Sequence, residues 1–274
     1  MYCYLTPLSS PADLMIQTTE NADILKLLRL AKVVNKYQFS SFEEWVKKVL
    51  LIQCVDHSYL AKCPFDHLAA FLYIASLYND DSFRNVVEYK WIFRLAQRDI
   101  PLAQSLVLVE KHGSRKLQGM VYYYIVQDME THPCGPVGDS TTVVYGNDLN
   151  QEQLHRAYVG YYSLSRYWAY CRKSPPALLP QKCNETQHVQ CNIRWTNYWA
   201  SSINSIRGSS GELDLISKFD QLAREPPTSI PHVSRNCASH AGEVVRAVRQ
   251  KFMSTIPDHF FGPLPQEAPG PPQK

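Results

Sequence analysis

Apolar side chains recur along the chain at the spacing of one face of an α-helix. Within residues 23–37, lysines and an arginine fill the side opposite to Ile24, Leu27, Leu28, Ala31 and Val34. This pattern is typical of an amphipathic helix that packs against a core. A second helix is predicted from Ser40, because a serine with a glutamate three residues later matches a capping box. Its inward positions are Phe42, Trp45, Val46, Val49 and Leu50.

The same period continues towards the middle of the chain. A third helix is predicted with Pro64 in its first turn, and a fourth helix ends before Pro101. Two shorter helices, broken near Gly113, are expected within residues 102–129. The run Tyr122-Tyr123-Tyr124 leaves a strand open as an alternative there, since aromatic residues favour strands.

A Pro- and Gly-rich stretch, residues 131–149, is typical of an exposed loop between two halves. After it, Asn150 is predicted to cap a long helix that carries Leu154, Ala157, Tyr158, Tyr161, Leu164 and Trp168. Three further helices are expected at residues 192–207, 213–224 and 236–255, followed by a disordered Pro-rich tail. The sequence therefore predicts an all-α fold, an irregular helical array of two packed helical halves.

Charge and hydropathy narrow the class of protein. The chain has 28 Lys and Arg against 25 Asp and Glu, spread along its 274 residues, so we expect no nucleic-acid partner. No stretch approaches the roughly 20 apolar residues that cross a bilayer, and the N-terminus lacks the pattern of a secretory signal. We expect the protein in the cytoplasm or nucleus, where its eight cysteines stay reduced.

Several short motifs resemble those of fungal BTB/POZ domain-containing proteins. The run from Leu27-Leu28-Arg29-Leu30-Ala31 through Lys36-Tyr37-Gln38-Phe39 to Trp45 resembles the last helices of a BTB domain. Trp91, the segment Arg98-Asp99-Ile100-Pro101-Leu102 and a glycine at 113 are similar to the helical region that follows this domain. The C-terminal half, with spaced cysteines and the tryptophans 195 and 199, is similar to the long C-terminal part of these proteins.

The resemblance implies a division of the chain and a function. Residues 1–60 are expected to be the C-terminal remnant of a BTB/POZ-like domain, since its opening strands have no counterpart before Met1, and residues 61–130 the helical region after it. A linker at 131–149, a C-terminal helical region at 150–261 and the tail at 262–274 complete the division. The family implies a homodimerising or partner-binding scaffold or adaptor, linked to ubiquitin ligation or transcriptional regulation, that is not an enzyme.

A group of cysteine and histidine residues in the C-terminal half suggests a metal site. Three thiolates and one imidazole, from Cys183, Cys191, Cys237 and His240, would complete a tetrahedral zinc shell. His188 competes as a ligand. Buried reduced cysteines and a disulfide remain open as alternatives. A structural zinc ion in a helical domain of unknown role is therefore the alternative to the scaffold, and no other cofactor is expected.

Two other groups of residues contain features of a functional site. The segment Gly138-Asp139-Ser140 with Asp258-His259 contains pieces of an esterase motif, yet its serine lies in a predicted loop of a helical chain. A hydrolase is thus the third hypothesis. The aromatic residues 158, 161, 162, 168, 195, 198 and 199 form either a ligand pocket or a core, and helical spacing favours the core. We expect protein partners, including a second copy of the chain, and no small-molecule substrate.

Overall fold

The computed structural model describes residues 23–55, 59–78, 80–131, 145, 148–206, 211–224, 230 and 233–264. Within these ranges the regular structure is helical and no strand occurs, so the fold is all-α as predicted. The chain divides into two compact units, Met1–Leu117 and Gln118–Lys274. The domain boundaries inferred from the sequence stay predictions. Most of the predicted loop at 131–149 and most of the tail lie outside the described residues.

The first unit contains five helices and a short turn of 3₁₀ helix among its described residues. The helices are α1 (Ile24–Lys36), α2 (Ser40–Val55), α3 (Phe65–Tyr78), α4 (Asp81–Ala96) and α5 (Leu102–His112), and the 3₁₀ turn is Tyr59–Ala61. Helix α3 packs on α1, α4 and α5, and α2 packs on α1 and α4. A further helix, α6 (Arg115–Thr131), begins in this unit and continues into the second.

Helix starts in the first unit follow from short polar side chains. Asp23 accepts a hydrogen bond from the backbone of Lys26 at the start of α1, and Asp80 accepts one from Phe83 at the start of α4. Each carboxylate satisfies a backbone donor that has no partner inside the helix. The predicted stripe of α1 is buried, whereas Phe42 of α2 is exposed, so its inward prediction was wrong.

Two buried charged side chains join the helices of the first unit. Arg94 of α4 donates to the backbone carbonyl of Cys63 at 2.6 Å and to the carboxylate of Asp99 at 3.0 Å. Glu88 accepts from the backbone of Ser114 at 2.8 Å and from its hydroxyl at 2.6 Å. Since a buried charge is costly without such bonds, these contacts fix α4 relative to the loops beside it.

The second unit holds the rest of α6 and five more helices among its described residues. They are α7 (Gln151–Lys173), α8 (Glu185–Ser205), α9 (Leu215–Arg224), α10 (Arg235–Thr255) and the four-residue α11 (Asp258–Phe261). Helix α9 packs on α8 and α10, and α7 packs on α8 and α11. The Tyr122-Tyr123-Tyr124 run is buried in α6, so the strand alternative is excluded.

The long helices of this unit begin at predicted and unpredicted caps. Asn150 forms a full capping box with Gln153 at the start of α7, as its prediction required. Helix α8 starts seven residues before the predicted position, because Asn184 caps it by accepting from the backbone of Gln187 at 2.7 Å. Helix α11 was not predicted, since four residues are too short to show a helical period.

Aromatic rings fill the core of the second unit. Tyr123 and Tyr167 pack against Phe252 of α10, and Phe219 of α9 lies against the same ring. Phe260 stacks on Tyr122 and lies directly over Gly160 of α7, where any side chain would overlap the ring. The absence of a side chain at Gly160 therefore allows α11 to lie on α7.

Four tryptophans are buried, one in the first unit and three in the second. Trp91 of α4 has no hydrogen-bond partner for its indole nitrogen. In the second unit Trp195 donates to the carbonyl of Pro176 and Trp199 to that of Cys171, each at 2.8 Å. These two bonds hold α8 against the end of α7 and the loop after it, while Trp168 lies under the side chain of Lys218.

Candidate functional site

Cys183, His188 and Cys237 form a compact group in the second unit. The sulfur of Cys183 lies 3.5 Å from that of Cys237 and 3.6 Å from Nδ1 of His188. The sulfur of Cys237 lies 4.0 Å from the same nitrogen. Cys237 is buried, whereas Cys183 and His188 are half-buried. Three metal-ligating atoms thus converge on one point at the edge of the core.

Two helix starts position these side chains. Cys183 immediately precedes Asn184, the cap of α8, and His188 lies in the first turn of that helix. Cys237 lies in the first turn of α10, where its backbone donates to the capping hydroxyl of Ser234 at 3.3 Å. The positive ends of both helix dipoles therefore lie beside the group.

The structure brings together two of the four ligands predicted from the sequence. Cys183 and Cys237 are adjacent, and the described cysteine, histidine and acidic residues offer His188 as the third member. Cys191 is buried and its sulfur accepts from the backbone of Ser234 at 3.5 Å. His240 pairs with Glu243 at 3.2 Å, one turn further along α10. The sequence pointed to His188 only as a competing ligand.

Only Asp258 and His259 of the hydrolase hypothesis lie within the described residues. Gly138, Asp139 and Ser140 lie outside the described residues. His259 forms a hydrogen bond with another serine, Ser163 of α7, whose hydroxyl oxygen lies 2.8 Å from its Nδ1. The rings of Tyr167 and Phe252 pack around this histidine, and burial lowers its pKa against the opposing effect of Asp258. The geometry favours a hydrogen bond that fastens α11 to α7.

The aromatic residues considered as a pocket separate into a core set and a surface set. Trp168, Trp195 and Trp199 are buried, which confirms their core prediction. The surface set lies on α7, where Tyr158 is 50% exposed, Tyr161 41% and Tyr162 63%, while Tyr198 of α8 is half-buried. Tyr170, which was not part of the predicted set, is also on α7 and is 64% exposed. Sequence periodicity missed this set, because tyrosine counts as apolar while its hydroxyl also tolerates water.

The exposed tyrosines share one side of α7, where Arg166 is the one charged residue between Tyr158 and Tyr170 and Arg172 and Lys173 follow at the end of the helix. At about 100° per residue, Tyr158, Tyr161, Tyr162 and Tyr170 fall within half of the helix circumference, together with the exposed Val159. Arg166 lies among them with its guanidinium 5.8 Å from the ring centre of Tyr162. The opposite side, which carries Ala157, Gly160, Leu164, Trp168 and Cys171, is buried. We call the exposed side the tyrosine face of α7.

Comparison with known proteins leaves the family open. No family model matches the chain, and neither a curated protein nor a solved structure matches it. The BTB/POZ resemblance and the compartment therefore stay predictions. Of the helices described, none combines the length and the apolar character needed to cross a membrane.

Proposed function

We propose that this chain is a protein-binding scaffold or adaptor without chemistry of its own. The observation that carries the proposal is the tyrosine face of α7, four exposed tyrosine rings and a valine on one helix side. Scattered exposed apolar residues are normal, but Tyr158, Val159, Tyr161 and Tyr162 are exposed within two turns of one helix, and a contiguous set of this kind marks a surface that a partner covers. Tyrosine and arginine are the residue types enriched at the centres of protein interfaces, and this face presents both.

The chemistry of the face fits a protein partner. Each tyrosine offers a flat apolar ring with a hydroxyl at its tip, and it loses little conformational entropy when it is buried. Arg166 adds one positive charge over Tyr162, so an acidic or aromatic side chain on a partner has a matching group. The face spans about three and a half turns of α7, which is the length over which one helix typically contacts a partner.

The test replaces three rings of the face together. Tyr158→Ser, Tyr161→Ser and Tyr162→Ser in one chain remove aromatic area from positions that are already in water, so helix content should not change. We expect at least a 10-fold loss of binding, because truncation of a single interface hot spot costs about 2 kcal/mol or more and tyrosine is one of the residue types enriched there. Self-association is measured first by sedimentation of the purified chain over a range of concentrations, followed by quantitative capture of other partners.

The matched control is Tyr89→Ser on α4, which removes a ring of similar exposure, 65%, from the first unit. This variant should bind as the unchanged chain does. If the triple variant and the Tyr89 variant both retain full self-association and the same partners, the tyrosine face is not the interface. If the unchanged chain neither self-associates nor captures any partner through this face, the scaffold proposal is lost.

The family resemblance adds the finer part of this proposal. A BTB-type adaptor would recruit a ubiquitin-ligase subunit or a transcriptional regulator, and we propose this class for the partner. The resemblance supports it through the motifs around Leu27 to Trp45 and around Trp91. The identity of the proteins captured by the tyrosine face distinguishes these two classes from one another, and partners of neither class would contradict the BTB assignment.

A further inference from the structure

We infer that Cys183, His188 and Cys237 bind a zinc ion that fastens the start of α8 to the start of α10. This inference does not rest on the scaffold proposal. Two thiolates and an imidazole are the ligands that Zn²⁺ prefers in proteins, whereas Mg²⁺ and Ca²⁺ prefer oxygen. The three atoms belong to residues up to 54 positions apart in the chain, so their convergence is a property of the fold.

The distances agree with one ion at the centre of the group. Bond lengths of about 2.3 Å to sulfur and about 2.0–2.1 Å to nitrogen, at tetrahedral angles, place two sulfurs about 3.8 Å apart and a sulfur and a nitrogen about 3.6 Å apart. The observed separations are 3.5 Å between the sulfurs and 3.6 and 4.0 Å from sulfur to Nδ1. All three can be reached by one tetrahedral ion with shifts of a few tenths of an ångström.

The surroundings favour a metal over the two thiol alternatives. A disulfide has a sulfur separation of about 2.0 Å, shorter than the 3.5 Å between Cys183 and Cys237, and it would leave His188 without a role. A pair of unrelated buried thiols does not require an imidazole nitrogen at the same distance from the sulfurs, whereas a tetrahedral ion requires all three atoms at these separations.

Three protein ligands leave one tetrahedral position for solvent. Cys183 and His188 are half-buried, so water has access to the ion from outside. Among the described residues, no fourth cysteine, histidine or carboxylate lies in the group, since Cys191 and His240 have other partners. The ion nevertheless joins two helices and a loop, so its binding would add to the stability of the folded unit.

The test uses the full chain purified under reducing conditions. Elemental analysis should find one zinc per chain, and exchange for Co²⁺ should give the visible absorption of a tetrahedral ion with sulfur-to-metal charge transfer. Cys183→Ser and Cys237→Ser should each lose one sulfur's share of the charge-transfer absorption and weaken zinc binding by at least 100-fold, more than the 10- to 100-fold loss typical of a neighbour that only supports a ligand. His188→Ala should weaken binding while charge transfer from two sulfurs remains at saturating Co²⁺.

The matched controls are Cys191→Ser and His240→Ala, which remove the same residue types from the same two helices. Both should keep one zinc per chain, and circular dichroism shows whether any variant has lost its helices. Two results overturn the inference. One is a folded, fully reduced chain that takes up neither zinc nor Co²⁺. The other is a purified chain whose mass is lower by two hydrogens because Cys183 and Cys237 form a disulfide that excludes the ion.

Discussion

At the scale of single residues, the second unit depends on a few positions where close packing excludes any change. Gly160 is one, because Phe260 occupies the space of its missing side chain. His259 is another, since it is half-buried between aromatic rings and also forms a hydrogen bond with Ser163. Both residues act on the same contact, the seating of α11 on α7.

Replacement of Gly160 by alanine should destabilise the second unit by about 1–3 kcal/mol, the usual cost of forcing an extra group into a packed core. Urea unfolding of the variant measures the difference in free energy. The physical cause is checked with Phe260→Ala, since the penalty of Gly160→Ala should nearly vanish once the ring is gone. A penalty of equal size in both backgrounds would show that the contact with Phe260 is not its source.

The stability of the second unit should decrease as pH falls below about 6.5, the ordinary pKa of histidine. Burial lowers the pKa of His259 in the folded chain, so the unfolded chain binds a proton at higher pH, and acid favours unfolding. The contribution is fully present above pH 6.5. His259→Asn should flatten this dependence between pH 7 and pH 5, whereas the same change at the exposed His155 should not, and equal slopes would contradict the assignment.

At the scale of helices, the sequence predicted where the helices lie in the chain better than which of their side chains are buried. All ten helices from α1 to α10 were recognisable because repeated apolar spacing is a local property, and the structure shows that the tyrosine run is a buried part of a helix. The predicted inward residues Phe42, Tyr158 and Tyr161 are exposed, since the hydrophobic pattern does not tell which aromatic rings find a neighbouring element. That choice depends on the packing of other helices.

The candidate zinc site shows the same limit. The sequence indicated cysteine and histidine as ligands and named Cys183 and Cys237, but spacing along the chain cannot show which side chains meet across two helices. His188 reaches the group because Asn184 starts α8 earlier than the apolar period suggests. The position of the cap therefore determines that His188 joins the group, and the apolar pattern of the sequence did not identify Asn184 as that cap.

The caps themselves should be measurable. Asn150→Ala removes the side-chain acceptor that caps α7, while its backbone N–H still donates to Gln153, and should destabilise the second unit by about 0.5–2 kcal/mol. Asn197→Ala, at an exposed position inside α8, should be neutral or slightly stabilising because alanine is the better helix former. Thermal unfolding of the two variants side by side tests this, and an equal loss from both would assign the effect to the amide itself and not to the cap.

At the scale of the whole molecule, the two compact units differ in the interactions that stabilise each of them internally. The first unit relies on a packed apolar core with the buried bonds of Arg94 and Glu88. The second adds the group of Cys183, His188 and Cys237, which would join α8 to α10 through an ion. Removal of the metal should therefore lower the stability of the second unit and leave that of the first unit unchanged.

Removal of zinc with a chelator should lower the stability of the second unit by roughly 3–4 kcal/mol at a free zinc level 100 to 1,000 times the dissociation constant, because binding to the folded state alone stabilises it. Hydrogen exchange by mass spectrometry locates the change. Peptides from α8 and α10 should lose protection, while those from α1 to α5 keep it. Cys183→Ser should show no response to the chelator, and loss of protection in both units alike would contradict a local role.

The buried tryptophans give each unit an optical signal of its own. Trp91 has an indole nitrogen without a hydrogen-bond partner in an apolar core, whereas Trp195 and Trp199 donate to backbone carbonyls. An indole in a dry, apolar surrounding fluoresces at shorter wavelength than one in a polar surrounding. If the units unfold one after the other, the emission maximum of the intact chain should therefore shift in two separable steps. The order of those steps identifies the less stable unit without an added fluorophore.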